Sequence, residues 1–167
     1  MLFRSGIVLA TPRAQVQKVA DRAAKKAPIV GLELEKLLRA AEPLKAHPAD
    51  RTIPVVLGGD MAKYVWTMNG AVFGGDKPLQ VSLGERVEIA MRNDTGMSHP
   101  MHLHGTSFQV VEIDGRRFPG ARRDTVMVPP NTRVTIAFDA VNAGQWAFHC
   151  HNSYHQEAGM MTSVQYV

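Results

Sequence analysis

The sequence of 167 residues contains a single cysteine, Cys150. An intrachain disulfide is therefore excluded, and a chain of this length must be held by its core rather than by covalent staples. Long apolar runs are also missing. No stretch approaches the roughly 20 residues that a membrane-spanning helix requires, so no membrane span is expected. Neither an internal repeat nor a low-complexity tract is present, which excludes repeat architectures. Acidic excess is absent as well: the net charge is +4. Much of the basic surplus lies in Arg13, Lys18, Arg22, Lys25 and Lys26. No recognition motif accompanies these residues, so they read as a solvated face and nucleic acid is not an expected partner.

What remains is ordinary globular composition, with 45% hydrophobic and 20% charged residues. It predicts one principal domain. The texture of the chain changes near residue 50. Residues 1–50 show no strand-like alternation after Ala10. Met1–Ala10 is a weak export signal and reads equally well as a strand left from a preceding domain. Gln15–Lys26 is Ala- and Lys-rich and suits a helix, and Leu34, Leu37, Leu38 and Ala41 recur at a helical period before Pro43. This part is expected to be an N-terminal segment and linker with short helices. Residues 51–167 alternate short apolar runs with turn residues, predicting about ten strands. These are 53–57, 64–68, 79–83, 86–93, 101–103, 107–113, 124–128, 133–137, 144–149 and 162–167. Asp114-Gly115 marks a hairpin. The fold class is therefore all-β, a Greek-key sandwich or barrel.

Six of the seven histidines fall in two clusters, His99-Pro-Met-His102-Leu-His104-Gly and His149-Cys150-His151-Asn-Ser-Tyr-His155. The seventh, His47, stands alone and reads as surface. Strand geometry sorts the clusters, because side chains alternate faces. His149 and His151 share one face and Cys150 points to the other, so no single metal ion takes all three. His102 and His104 share a face, while His99 has the opposite parity. If the clusters lie on neighbouring strands, one set holds His99 and Cys150. The other holds His102, His104, His149 and His151. His155 and Met160 follow Cys150 by five and ten residues, and Gly159 permits a turn that folds them back toward the sulfur. One thiolate, two imidazoles and a thioether make the ligand set of a blue-copper site. Four imidazoles on one face suit copper, zinc or iron.

These motifs resemble those of the C-terminal cupredoxin domain of multicopper oxidases, the laccase and copper-resistance-protein family. The signatures are His-Pro-x-His-Leu-His-Gly and His-Cys-His, three residues, His, three residues, Gly-Met. The resemblance extends through Gly58-Gly59-Asp60-Met61, Trp66-Thr67-Met68-Asn69-Gly70, Gly84-Glu85-Arg86-Val87 and Asp124–Pro130, and so covers roughly residues 50–167. It implies a cupredoxin-like β-sandwich. It implies type 1 copper on His99, Cys150, His155 and Met160, type 2 copper on His102, and a type 3 pair on His104, His149 and His151. Electrons from a phenol, aromatic amine or metal ion would pass from the type 1 site through Cys150 to His149 and His151, where molecular oxygen is reduced. Glu157 would be a proton relay or a partner of a ligand; many bacterial relatives place an acid at the position of Gln156. Asp124 reads as structural. A periplasmic or extracytoplasmic site for the parent protein is implied too.

The family's trinuclear cluster uses eight histidines, and this chain offers four, with no further His-x-His pair. The chain thus looks like a terminal portion of a longer protein or one part of a split one. Two copies apposing their histidine faces about a twofold axis, or an N-terminal cupredoxin partner, would supply the rest. The competing readings are a type 1 electron-transfer or copper-binding module without oxidase activity, and a zinc site. Zinc prefers closed tetrahedral sets, which the Cys-His-His-Met combination suits less well.

Overall fold

The structure, a computed structural model, describes residues 9–16, 25, 28 and 30–167. The helix expected over Gln15–Lys26 and the reading of Met1–Ala10 fall mostly outside those residues. Of the helical period at 34–41, only α1 (Glu33–Leu37) forms, and the chain is already extended at Leu38. Leu34 and Leu37 point to solvent, while Leu32 is the residue that joins the core. The segment then runs as a strap bound through its own N–H groups: Ala40 N–H donates to Gly120 O, and Leu44 N–H to the side-chain Oε1 of Gln109. These bonds replace the helical ladder that the sequence suggested.

Strands begin where alternation begins. In chain order they are β1 (Arg51–Asp60), β2 (Val65–Met68), β3 (Leu79–Val81), β4 (Arg86–Asn93), β5 (His99–Leu103), β6 (Phe108–Ile113), β7 (Arg116–Arg117), β8 (Arg122–Arg123), β9 (Thr125–Val128), β10 (Arg133–Asp139), β11 (Gln145–Cys150) and β12 (Met161–Tyr166). A second short helix, α2 (Ser153–Glu157), interrupts the last pair. One sheet has the order β2-β1-β4-β10-β6-β7, with β8 also on β6; the other has β3-β12-β11-β5-β9. The core lies between them. Val55, Leu57, Val87, Ile89 and Met91 come from the first sheet, and Met101, Leu103, Phe148 and Val164 from the second, all essentially without exposure. This is the expected all-β, cupredoxin-like sandwich.

The second sheet positions the site. β11 pairs antiparallel with β5, setting His149 opposite His102 and Cys150 opposite Met101. β9 pairs with the other edge of β5, setting His99 opposite Val128. The hairpin at Asp114-Gly115 forms as expected, with both residues at positive φ.

Gly105, directly after His104, shows how tightly this end is built. Its φ is +76°, and a Cβ there would lie 2.1 Å from the Trp146 ring. That ring is itself pinned, because the Trp146 indole N–H donates to Asn142 O at 2.7 Å. Gly105→Ala is expected to destabilise the fold by about 1–3 kcal/mol through overpacking and backbone strain. Urea unfolding of the two proteins checks this; an unchanged midpoint would show that the ring moves freely.

Candidate metal centre

Two groups of potential metal ligands converge on opposite faces of β11. The buried group is His99, Cys150 and His155. Cys150 Sγ lies 3.7 Å from Nδ1 of each histidine, and the two Nδ1 atoms are 3.0 Å apart. Bare nitrogens cannot face one another at that distance, so a proton or a metal ion must lie between them. All three residues are buried to within 1% exposure.

Local structure delivers each side chain. His99 opens β5. Cys150 closes β11, and its side chain turns inward because of strand alternation. His155 rides on α2, a five-residue helix too short for apolar periodicity to announce. Asn152 caps that helix by accepting from Tyr154 N–H, the ordinary role of an Asn at a helix start. Gly159, at φ +117°, then turns the chain back, and its hydrogen atom faces Trp66 O where a Cβ would sit at 2.6 Å. Met160 follows with no exposure. Its N–H donates to His155 O and its carbonyl accepts from Cys150 N–H. The fold-back expected for His155 and Met160 is therefore present in the backbone.

Trp66 of β2 covers the group. Its ring stacks on His155 at 4.2 Å and meets His99 edge-on at 5.1 Å. Its indole N–H is buried without a hydrogen-bond partner among the described residues. Behind His99, Nε2 lies 2.7 Å from Thr95 Oγ1.

The second group lies on the other face, as strand parity predicts. His102, His104 and His149 bring one ring nitrogen each within 4.8 Å of one another. His104 Nε2 and His149 Nε2 are 3.0 Å apart. His149 Nδ1 is 3.0 Å from Cys150 O, and His102 Nδ1 is 2.9 Å from Asp124 O. A backbone carbonyl only accepts, so both Nδ1 atoms carry the proton and both Nε2 atoms are bare, that of His149 accepting from His104 Nε2. His151 is exposed, with its ring 4.9 Å from that of His102. Asp124 acts here through its backbone and through Thr125, whose hydroxyl donates to its carboxylate. Glu157 is exposed at the end of α2, beside a groove formed with Tyr64, Val72, Phe73 and Gln156. His47 is half-exposed and leans toward Asp139 at 3.9 Å.

Burial sets the protonation of the inner group. Burial pushes the Cys150 thiol up to about 11 and holds His99 down to about 4, the latter helped by the neighbouring charge of His155. His149 and His155 are lowered too, mainly by burial. Without metal the buried group is thus a thiol and neutral imidazoles. Two nitrogens and a sulfur, with the buried thioether residue Met160 five positions after His155, fit copper better than the hard cations.

Sequence reasoning missed Thr95, Thr125 and Asn152, which orient these rings. Only Asn152 carried a signal, as a capping residue directly after His-Cys-His. Trp66 lay inside a recognised segment without a role.

A two-sheet β-domain with a buried cysteine–histidine set backed by a histidine face defines a cupredoxin-like copper protein. A model of the multicopper oxidase family matches residues 46–167, and the chain belongs to that family. Multicopper oxidase MmcO of Mycobacterium tuberculosis is 50% identical over 115 residues, which are 69% of this chain and 22% of that protein. Copper resistance protein A of Escherichia coli is 40% identical over 115 residues, 69% of this chain and 19% of that protein. The chain therefore spans about a fifth of the length of these relatives. Among solved structures, the McoA multicopper oxidase of Aquifex aeolicus superposes with a TM-score of 0.65 at 29% identity, covering 75% of this chain and 31% of that one.

The lowered histidines make the metal-free protein acid-sensitive. The unfolded chain protonates these rings below their ordinary value of 6.5, whereas folded His99 resists until about 4. Their contribution to stability is complete above the unfolded value and is lost as the pH falls through the folded one. The metal-free melting temperature is expected to be lower at about pH 5 than at about pH 7.5. Equal melting temperatures would contradict this.

Proposed function

We propose that this chain is a laccase-like multicopper oxidase domain that takes electrons singly from a reducing substrate and passes them to oxygen reduction. In this reading His99, Cys150, His155 and Met160 hold a type 1 copper. His102 serves a type 2 ion, and His104, His149 and His151 serve a type 3 pair. Bound copper supplies the one-electron redox chemistry. The observation that carries the reading is the back-to-back arrangement: the Cys150 sulfur lies 3.7 Å from two imidazole nitrogens, while its peptide neighbours point to the opposite face.

The chain's own residues then have definite tasks. Cys150 joins the two faces through its backbone, and its carbonyl accepts a hydrogen bond from His149 Nδ1. That gives two short routes from one sulfur to the second group. Burial of His99, Cys150 and Met160 keeps water out of the first. The groove at Tyr64, Val72 and Phe73 admits the reductant, a phenol, an aromatic amine or a metal ion, beside α2. Glu157 at its rim takes the proton that a phenol or amine releases on losing its electron.

The four histidines on the outer face are half of a trinuclear cluster. A second copy of the chain, or an N-terminal cupredoxin domain, supplies the other half. The parent protein works outside the cytoplasm in this reading. A second reading, a type 1 electron-transfer module, is favoured by the closed burial of the first group against the exposure of His104 and His151.

Copper per chain, measured together with molecular mass in solution, separates the two. A dimer or larger even assembly with about 2.5 copper ions per chain is expected, since two type 1 ions and one shared three-ion cluster divide over two chains. A blue monomer with about one ion per chain would leave only the electron-transfer module. Cys150→Ser is expected to abolish the blue absorption band in either case.

A further inference from the structure

Hydrogen-bond polarity around His99 can be followed atom by atom from the backbone inward. Asn93, at the end of β4, is fully buried. Its Nδ2 lies 2.7 Å from Met97 O and 2.9 Å from Val128 O. Two carbonyls can only accept, so these contacts fix which end of the amide carries the protons. Its Oδ1 must then accept, and it receives Thr95 N–H at 2.9 Å and Thr95 Oγ1 at 2.8 Å. The hydroxyl proton of Thr95 is thereby directed at Asn93, and the other oxygen within its reach, Met97 O at 3.1 Å, is also only an acceptor, so the proton is not shared with His99. The lone pairs of Oγ1 are left for Met97 N–H at 3.2 Å and for His99 Nε2 at 2.7 Å. Nε2 must carry a proton to complete that bond. A neutral imidazole has one N–H, so Nδ1 is bare, and it faces Cys150 Sγ and His155 Nδ1.

His155 is treated differently. Its Nε2 faces Asn152 Nδ2 at 3.3 Å, an amide nitrogen that donates, because Asn152 Oδ1 is spent on the helix cap. Without metal, His155 therefore holds its proton on Nδ1 and donates it across the 3.0 Å gap to His99 Nδ1. To bind a metal ion through Nδ1 it must move that proton to Nε2.

We propose that Asn93 and Thr95 form a buried relay that presets His99 as a copper ligand before the metal arrives, leaving His155 as the ligand that switches tautomer on binding. Asn93 and Thr95 are positioning residues. They act through His99 and do not touch the metal. The relay also ties the site to the junction of the two sheets, because Asn93 belongs to β4 and its acceptor Val128 to β9. An acceptor on the remote ring nitrogen makes the imidazole a better donor to a cation, and losing such a partner typically lowers metal affinity about 10–100-fold.

The inference rests on the reading of His99 as a copper ligand, so its test has one arm with copper and one without. In the metal-free protein, 15N spectra of the histidine rings are expected to show His99 with its proton on Nε2 and His155 with its proton on Nδ1. On loading with cuprous ion, which is diamagnetic, His155 changes tautomer and His99 does not. Thr95→Val keeps the shape and removes the hydroxyl. It is expected to release the His99 tautomer, weaken cupric-ion binding by about 10–100-fold and raise the reduction potential, with Thr95→Ser restoring both. A metal-free wild type with the His99 proton on Nδ1 would overturn the relay, whether or not the valine variant folds. So would a folded Thr95→Val protein with wild-type affinity and potential. A wild type that stays colourless with cupric ion would overturn the copper reading instead, and the metal-free spectra would still decide the relay.

Discussion

The pairing of β11 with β5 is the constraint on which the rest depends. Strand alternation forces Cys150 inward once His149 and His151 face outward. The register then sets Cys150 against Met101 and His149 against His102. A slip of one residue would turn the thiol to the outer face and the imidazoles into the core, losing both groups at once. The apolar residues on the inner face of these two strands hold the register. Met101, Leu103 and Phe148 are each fully buried on the inner face, and a slip would expose all of them. The core and the site are thus specified by the same period of two.

That shared period explains why so much was legible in the sequence. The separation of His99 and Cys150 from His102, His104, His149 and His151 follows from parity once the two clusters lie on neighbouring strands, and the structure shows the same separation. β4 was readable over its whole length, because Val87, Ile89 and Met91 alternate with Arg86, Glu88, Ala90 and Arg92 through Arg86–Asn93. Where local pattern was not backed by packing, the expected helix is cut short. Leu34 and Leu37 lie in α1 but face solvent, and the chain beyond them is held through Ala40 and Leu44 by Gly120 and Gln109 instead of continuing the helix. α2 is five residues long, too short for periodicity to reveal, and its only advance sign was the capping Asn152. The roles of Asn93 and Thr95 were not readable at all. They depend on which carbonyls the loop after β4 brings within reach, and that is decided by the meeting of β4 with β9.

The two groups differ in how they treat charge, and the difference follows from burial. In the inner group burial keeps the thiol protonated and the imidazoles neutral, so the metal-free site carries no charge that water would otherwise have to solvate. A cation that binds there displaces the thiol proton, and the new thiolate offsets part of its charge. The outer group, with His104 and His151 exposed, depends on a covering surface to exclude water, and the chain does not present one on that face among the described residues.

The asymmetry between the two inner histidines belongs to the same logic. A site in which both rings were preset with bare Nδ1 atoms at 3.0 Å would set two lone pairs against each other whenever metal was absent. A site with neither ring preset would have to reorganise both, and the buried Asn93 and Thr95 would lack a fixed partner. Fixing one ring through the backbone and leaving the other to share its proton satisfies the empty site and the loaded one. The ring left free is on α2, a short helix joined to the sheet by a glycine turn. The fixed ring is on β5, in the interior of a sheet. The element that must adjust is therefore the one with fewer hydrogen bonds to its neighbours, and the element that must not is paired on both edges.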